Sequence, residues 1–276
     1  MKTKIQKIVA PASMTFTLLA APFAIPTANA ALTSPQNYVA LGDSVAAGVT
    51  PYQSMDAGYT DIIAHKLAQE DLLIHFSKDF AVPGFSTTNI LELLENEQVR
   101  QGIEQATLIT LSAGANDVLG LVRQDAAGQS VSFEQLPADF ALNQMRIQYG
   151  QILDEITSIN PTASLYTMGY FFPYPNVLDT QKDGVTKMLN TVNEIIKKES
   201  IKRGIPFIPV SEAFGVDAIN YLPNPTNVHP NQAGYVAIAN AFFNEVEPDL
   251  SVTEADIPPN PGISPFLAQF MPRGDR

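Results

Sequence analysis

The chain of 276 residues contains no cysteine, no tryptophan and only three histidines, His65, His75 and His229. Without cysteine it can form no disulfide, use no thiolate nucleophile and bind no zinc or iron–sulfur cluster through sulfur. No histidine pair or carboxylate cluster has metal-ligand spacing, so we expect no metal and no cofactor. The lack of tryptophan makes a surface that binds sugars by stacking less expected. It does not exclude one, because tyrosine can also stack on sugar rings.

Positive charge is also scarce, since 16 Lys+Arg stand against 28 Asp+Glu and give a formal net charge of −12. Nucleic-acid-binding proteins usually carry a basic stripe, and an anionic membrane surface would repel this chain. We therefore expect no nucleic-acid partner and no stable membrane anchoring.

The first thirty residues have the pattern of a signal peptide. Lys2, Lys4 and Lys7 precede an apolar stretch over residues 8–25, and Ala28-Asn29-Ala30 is a small-x-small cleavage site. Prolines and polar residues interrupt the stretch, which argues against a membrane anchor. We expect residues 1–30 to be removed and the mature protein to be secreted. An exported chain without cysteine and with a short basic start is typical of bacteria.

The rest of the chain alternates predicted strands and helices. Apolar runs rich in β-branched and aromatic residues predict strands over residues 37–41, 72–76, 107–111, 163–168 and 205–210. Apolar residues at three- and four-residue steps predict helices over residues 58–69, 87–95, 140–158, 184–203 and 231–245. Such alternation indicates one α/β domain, residues 31–247, with a parallel five-stranded sheet between two helical layers.

Residues 248–276 hold six prolines and no helical period, which predicts an extended, proline-rich C-terminal tail. Its apolar segment, residues 266–271, has two interpretations: it docks on the domain, or it docks on a partner.

Polar clusters follow several predicted strands. Gly42-Asp43-Ser44 ends the first strand, Gly84 follows the second, Gly114-Ala-Asn-Asp117 follows the third, and His229 precedes the last helix. Ligands of open α/β sheets bind beyond the carboxyl ends of the strands. Each cluster alone also has a structural interpretation, such as a turn with positive φ at Gly84 or a helix cap at Asn116. Their order and placement together indicate a site.

This combination of motifs resembles the SGNH (GDSL) hydrolase family. The matching blocks are Val39-Ala-Leu-Gly-Asp-Ser44, Gly84, Gly114-Ala-Asn-Asp117 and His229, and residues 229–235 are similar to the secreted Bacillus-type lipase and esterase branch. The resemblance implies a flavodoxin-like three-layer α/β/α sandwich and hydrolysis of carboxylic esters. Gly-x-Ser-x-Gly, the nucleophile elbow of α/β-hydrolases, occurs nowhere in the chain.

Family roles assign the nucleophile to Ser44, the base to His229, and the oxyanion hole to the Ser44 N–H, the Gly84 N–H and the Asn116 amide. A serine hydroxyl needs a base, and imidazole, with a pKa of about 6.5, accepts and returns protons near neutrality. Asp43 and Asp117 are expected to hold the motif loops through backbone N–H groups.

One position departs from the family pattern. The family places aspartate three residues before the histidine, where this chain has Thr226. We therefore predict a Ser–His dyad whose ring is oriented by a backbone carbonyl or by the Thr226 hydroxyl. Asp183 and Asp217 are alternative partners from elsewhere in the chain.

The substrate side is indicated by an aromatic run after the fourth strand. We expect Tyr170, Phe171, Phe172 and Tyr174 to line an acyl pocket, with packing in the core as the alternative. The expected substrate is a small-molecule or lipid ester. Two further hypotheses stay open: a carbohydrate O-acetylesterase on the same scaffold, and a non-catalytic binding protein.

Overall fold

The computed structural model describes residues 32–271. The predicted signal peptide, residues 1–30, lies outside these residues. The strands are β1 Gln36–Gly42, β2 Leu73–Ala81, β3 Leu108–Ser112, β4 Arg123–Gln124, β5 Val131–Ser132, β6 Ser164–Met168 and β7 Phe207–Ile208. The helices are α1 Ser44–Ala47, α2 Tyr59–Gln69, α3 Thr87–Leu93, α4 Glu97–Gln105, α5 Asn116–Leu119, α6 Gln135–Ile159, α7 Asp179–Ile201, α8 Ser211–Phe214 and α9 Gln232–Val246.

A parallel five-stranded sheet forms the centre, in the order β2-β1-β3-β6-β7. This is the flavodoxin-like order, with the switch point between β1 and β3. Strands β4 and β5 pair as a separate antiparallel hairpin. The predicted fold class is confirmed.

Side chains of β1 alternate between the two faces of the sheet. Tyr38 and Ala40 belong to a core cluster that includes α2 and α9, whereas Val39 and Leu41 belong to a cluster that includes α3, α4, α6 and α7. Both faces are therefore covered by helices, which explains why the strand is apolar at nearly every position.

Two of the predicted strands differ from their predicted bounds by more than one residue. Strand β2 continues past residue 76 to Ala81 and pairs with β1 up to that residue. The buried Lys78 within this part of the strand forms an ion pair with Asp61, with Nζ and Oδ2 2.5 Å apart. Strand β7 is limited to two residues, since Pro206 and Pro209 on either side have no N–H for the sheet. The missed helix α4 is polar apart from Val99 and Ile103, which alone face the core.

The C-terminal segment, described to residue 271, has two short 3-10 turns, Glu254–Asp256 and Leu267–Gln269. Phe266 and Leu267 are buried against the domain, so this part of the apolar segment docks in cis. Among residues 32–271, no helix has the length and apolar character needed to cross a bilayer.

Candidate active site

Ser44 lies in a tight turn at the carboxyl end of β1. Gly42 has φ +146°, and a Cβ there would meet the Ser112 carbonyl oxygen at 2.3 Å. The Asp43 carboxylate accepts a hydrogen bond from the Val45 N–H (2.9 Å) and thereby caps the one-turn helix α1, in which Ser44 is first. This geometry holds the nucleophile candidate at the switch point of the sheet.

The loop before α9 brings His229 to Ser44 across 185 positions of sequence. The distance from His229 Nε2 to Ser44 Oγ is 2.7 Å. The end of the loop is fixed by Asn231, whose side chain accepts from the Gly234 N–H (3.0 Å) and donates to the Asn220 carbonyl (2.8 Å). The two residues predicted to form a dyad are thus in direct contact.

Asn227 is the hydrogen-bond partner of the other ring nitrogen. Its Oδ1 lies 2.7 Å from His229 Nδ1 and also accepts from the His229 backbone N–H at 2.9 Å. The backbone N–H can only donate, so the atom it contacts is the amide oxygen, and an amide oxygen can only accept. Nδ1 therefore carries the proton, and Nε2 is left as the acceptor for the Ser44 hydroxyl.

The prediction that Thr226 or a backbone carbonyl orients His229 is corrected by this contact. Thr226 is exposed, and its hydroxyl donates to Asn224 Oδ1 (3.1 Å). Asp217 pairs instead with Lys182, and Asp183 is exposed on α7. Asn227 was not predicted, although the sequence held a signal for it. An asparagine side chain commonly accepts from the backbone N–H two residues on, which here is that of His229.

Burial acts on the acid and the base of this region in opposite directions. Desolvation lowers the pKa of His229 to about 4, so the ring is neutral at pH 7. Desolvation raises the pKa of Asp43 to about 6, against hydrogen bonds from the Tyr170 hydroxyl (2.6 Å) and the backbone. The Asp43 carboxylate therefore lies under the turn that carries Ser44, whereas the His229 imidazole contacts the neutral amide of Asn227.

The oxyanion-hole candidates Gly84 and Asn116 lie on two turns that are bonded to each other. Asn116 Nδ2 donates to the Phe85 carbonyl (2.9 Å), and Asp117 accepts from the Thr87 N–H (3.0 Å). The loop-holding roles expected for Asp43 and Asp117 are confirmed. Gly84 has φ +82°, while a Cβ there would meet nothing within 4 Å, so the backbone angle is what favours glycine.

An apolar pocket of about 80 Å³ opens beside Ser44 and Asn116. Tyr170, Phe171 and Tyr174, three of the four residues predicted for an acyl pocket, are among the residues that line it. Phe172 is corrected: it is buried behind the wall, among Val131, Tyr174, Val177 and Val185. The aliphatic walls were missed, and they come from α5, the β4–β5 hairpin and α7: Val118, Leu119, Val122, Val131, Val185, Met188, Leu189 and Val192.

The hydroxyl of Ser44, a neutral imidazole and nearby N–H donors can together support nucleophilic attack on a carbonyl. Between residues 32 and 271, no group of three or more His, Asp or Glu side chains is arranged to hold a metal ion.

Comparison with known proteins identifies the family of the chain. Residues 40–237 match the model of the GDSL-like Lipase/Acylhydrolase family. The uncharacterized protein YpmR of Bacillus subtilis is 24% identical over 211 residues, covering 75% of this chain and 80% of its own.

Solved structures share the fold. The lipase Lip_vut3 from a goat rumen metagenome is 21% identical with a TM-score of 0.60, and the match covers 76% of this chain and 98% of that chain. The acetylxylan esterase Axe2 of Geobacillus stearothermophilus is 17% identical with a TM-score of 0.57, covering 78% and 95%.

Proposed function

The chain belongs to the GDSL-like lipase/acylhydrolase family, and from this premise we propose that it hydrolyses carboxylic esters through an acyl-enzyme on Ser44. The observation that carries the proposal is the 2.7 Å contact between Ser44 Oγ and His229 Nε2 beside an apolar pocket. The family membership supports an ester hydrolase, and the contact supplies a nucleophile and a base.

In the first step, Ser44 Oγ attacks the ester carbonyl carbon while its proton passes to His229 Nε2. The carbonyl π electrons move to oxygen and form a tetrahedral oxyanion. When the oxyanion collapses, the bond to the alcohol oxygen breaks and the imidazolium returns its proton to that oxygen. The alcohol leaves, and the acyl group stays on Ser44.

The oxyanion is stabilised by N–H donors fixed before the reaction. We assign these to the backbone N–H of Ser44 and Gly84 and to the side-chain amide of Asn116. The Asn116 amide uses one N–H for the Phe85 carbonyl, and we assign the second to the oxyanion. A donor oriented in advance needs no reorganisation during the reaction, and one such donor contributes about 3–4 kcal/mol in comparable sites.

In the second step, His229 takes a proton from water, and the hydroxide oxygen attacks the acyl carbon. The bond to Ser44 Oγ breaks, the proton returns to Oγ, and the carboxylic acid is released. Asn227 keeps Nε2 directed at the reacting oxygen in both steps. Its neutral oxygen stabilises the imidazolium less than a carboxylate does, so esters with good leaving groups suit this site better than amides.

The test is hydrolysis of p-nitrophenyl butyrate by the mature protein beside Ser44→Ala, with the exposed Ser251→Ala as control. Full activity of the control and loss in Ser44→Ala support the proposal. Activity that survives Ser44→Ala means that another group is the nucleophile. A folded wild-type protein inactive on every ester supports the non-catalytic alternative.

A carbohydrate O-acetylesterase is the second candidate, favoured by the structural similarity to an acetylxylan esterase. It would use the same catalytic residues and differ at the rim of the site. Acetate release from acetylated xylan, together with low activity on longer acyl esters, distinguishes it from the leading proposal.

Export is also proposed, on the charge and apolar pattern of residues 1–30. N-terminal sequencing of protein secreted from a bacterial host is expected to begin at Ala31. A start elsewhere, or retention in the cell, contradicts it.

A further inference from the structure

We propose that the apolar pocket beside Ser44 binds the acyl chain and selects chains of about four carbons over acetyl, an inference that rests on the proposed ester hydrolysis. The pocket shares Ser44 and Asn116 with the reacting centre. A chain attached to a carbonyl at Ser44 therefore has direct access to it.

Four of the five polar side chains in the lining have a hydrogen-bond partner in the protein, and Tyr174 is the exception. Five lining residues carry a polar side chain: Asp43, Ser44, Asn116, Tyr170 and Tyr174. Tyr170 donates to Asp43, Ser44 contacts His229, and Asn116 donates to the Phe85 carbonyl. Sugar hydroxyls need hydrogen-bond partners when water is excluded, whereas an alkyl chain needs none. The lining therefore favours an alkyl occupant.

The size of the pocket limits the chain. A cavity of about 80 Å³ is about half the roughly 150 Å³ of an engineered apolar cavity that holds benzene. Benzene has six carbons, so a cavity of about half that volume encloses about three chain carbons. A butyryl group fills this space, and the distal carbons of longer chains extend beyond it.

The chain-length profile of the wild type gives the first measurement. Each buried methylene contributes about fourfold to kcat/KM, so p-nitrophenyl butyrate, with two more methylenes, is expected to exceed the acetate by about fifteenfold. From hexanoate to laurate we expect no further gain. A steady fall from acetate, or a steady rise through laurate, overturns the inference.

Leu189 of α7 offers a way to change the depth of the pocket. Leu189→Phe fills it and is expected to reduce the butyrate-to-acetate ratio of kcat/KM at least fivefold. Leu189→Ala deepens it and is expected to move the maximum to longer chains. Ile201→Phe makes the same aliphatic-to-aromatic change at an exposed position of the same helix and should leave the ratio as in wild type. Ratios that do not respond to either Leu189 variant overturn the inference.

These outcomes are separable from failure of the proposed function. If every ester fails in the folded wild type, ester hydrolysis itself is wrong. If esters are hydrolysed in a Ser44-dependent way with a flat chain-length profile, only the pocket assignment is wrong.

The C-terminal segment, outside the matched residues 40–237, carries an independent inference. Asn260 Nδ2 donates to the Met55 carbonyl (2.9 Å), and the Phe266 ring meets the Phe80 ring edge-on at 5.3 Å. The Phe270 ring meets the Phe85 ring edge-on at 5.6 Å. Phe270 thus packs against the turn of Gly84 and Phe85, to which the Asn116 amide is bonded.

We infer that Phe270 is a positioning residue for the proposed oxyanion hole. Its ring contacts the ring of Phe85, and the Phe85 carbonyl accepts the hydrogen bond that orients the Asn116 amide. Phe266, buried and 5.4 Å from Phe270, links this contact to the core. Removing the Phe270 ring is expected to loosen the Phe85 turn and the donor that depends on it.

Phe270→Ala is expected to lower kcat on p-nitrophenyl butyrate about three- to tenfold, the range of one aromatic pair, with KM changed less than twofold. Phe270→Leu should recover most of the loss. Phe140→Ala, at another exposed phenylalanine, is the control for general effects on folding. An unchanged kcat in Phe270→Ala overturns the inference.

A double-variant cycle tests the route through Asn116. If Phe270 acts by orienting that amide, Phe270→Ala has no further effect on kcat in an Asn116→Ala background. Independent, multiplying losses show that Phe270 acts elsewhere and overturn the assignment.

Discussion

The turn that carries Ser44 and the loop that carries His229 meet through one hydrogen bond, yet they are built from different groups. Carboxylates hold the nucleophile side: Asp43 caps α1, and Asp117 bonds Thr87. Asparagines hold the base side, where Asn227 contacts the His229 ring and Asn231 caps α9. A catalytic triad has a carboxylate against the histidine ring. Here the Asn227 amide takes that place, and the Asp43 carboxylate supports the turn that carries Ser44.

This difference explains the contrasting effects of burial on the two sides. With no carboxylate on its ring, His229 has only desolvation acting on its pKa, which falls to about 4. Asp43 receives the Tyr170 and backbone hydrogen bonds and still has its pKa raised to about 6. His229 is therefore neutral over the whole physiological pH range, but its lowered pKa also makes it a weaker base.

The largest expected effect comes from breaking the contact between the two sides. His229→Ala removes the base, and we expect kcat/KM on p-nitrophenyl butyrate to fall by about 10⁴-fold or more. His75→Ala, at an exposed histidine, is the control. A loss below tenfold shows that a different base serves Ser44.

Asn116→Ala tests the nucleophile side next. Loss of one oxyanion donor is expected to lower kcat about 10²- to 10³-fold with little change in KM. A rise in KM at constant kcat instead shows that Asn116 binds the ground state and the transition state equally.

Asn227→Ala tests the neutral orienter on the base side. It leaves the Nδ1–H without its acceptor, and we expect kcat to fall about tenfold to a hundredfold. Thr226→Ala is the matched neighbour and should retain nearly full activity. The reverse ranking of the two variants restores Thr226 as the orienting residue.

Asp43→Asn has its main expected effect on stability. Because the pKa of Asp43 is raised in the folded state from 3.8 to about 6, its contribution to the free energy of unfolding is fullest below pH 4 and is lost as pH rises through 6. Over this pH range the group lowers the free energy of unfolding of the wild type by about 3 kcal/mol, and Asp43→Asn does not show this decrease. Urea unfolding of both proteins from pH 4 to 7 measures the difference, and parallel pH curves contradict the assignment.

Sequence and structure agree best where local patterns suffice. The core strands followed from apolar runs, and the contact of Ser44 with His229 followed from the family resemblance that the ordered motifs indicated. Asn227 was not predicted because the family spacing places the orienting residue at position 226. In this loop the side chain that contacts the His229 ring belongs to the next residue. The pocket walls were missed because apolar residues of α7 such as Leu189 have the same pattern whether they face a core or a cavity.

The pH dependence of kcat/KM for wild type and Asn227→Asp, on p-nitrophenyl butyrate and over the range in which both are folded, tests the central claim most directly. A neutral orienter predicts that the wild-type acid limb follows a pKa near 4. It also predicts that a carboxylate at position 227 moves the limb to higher pH by stabilising the imidazolium. A wild-type limb near 6.5 that Asn227→Asp does not move would contradict the account.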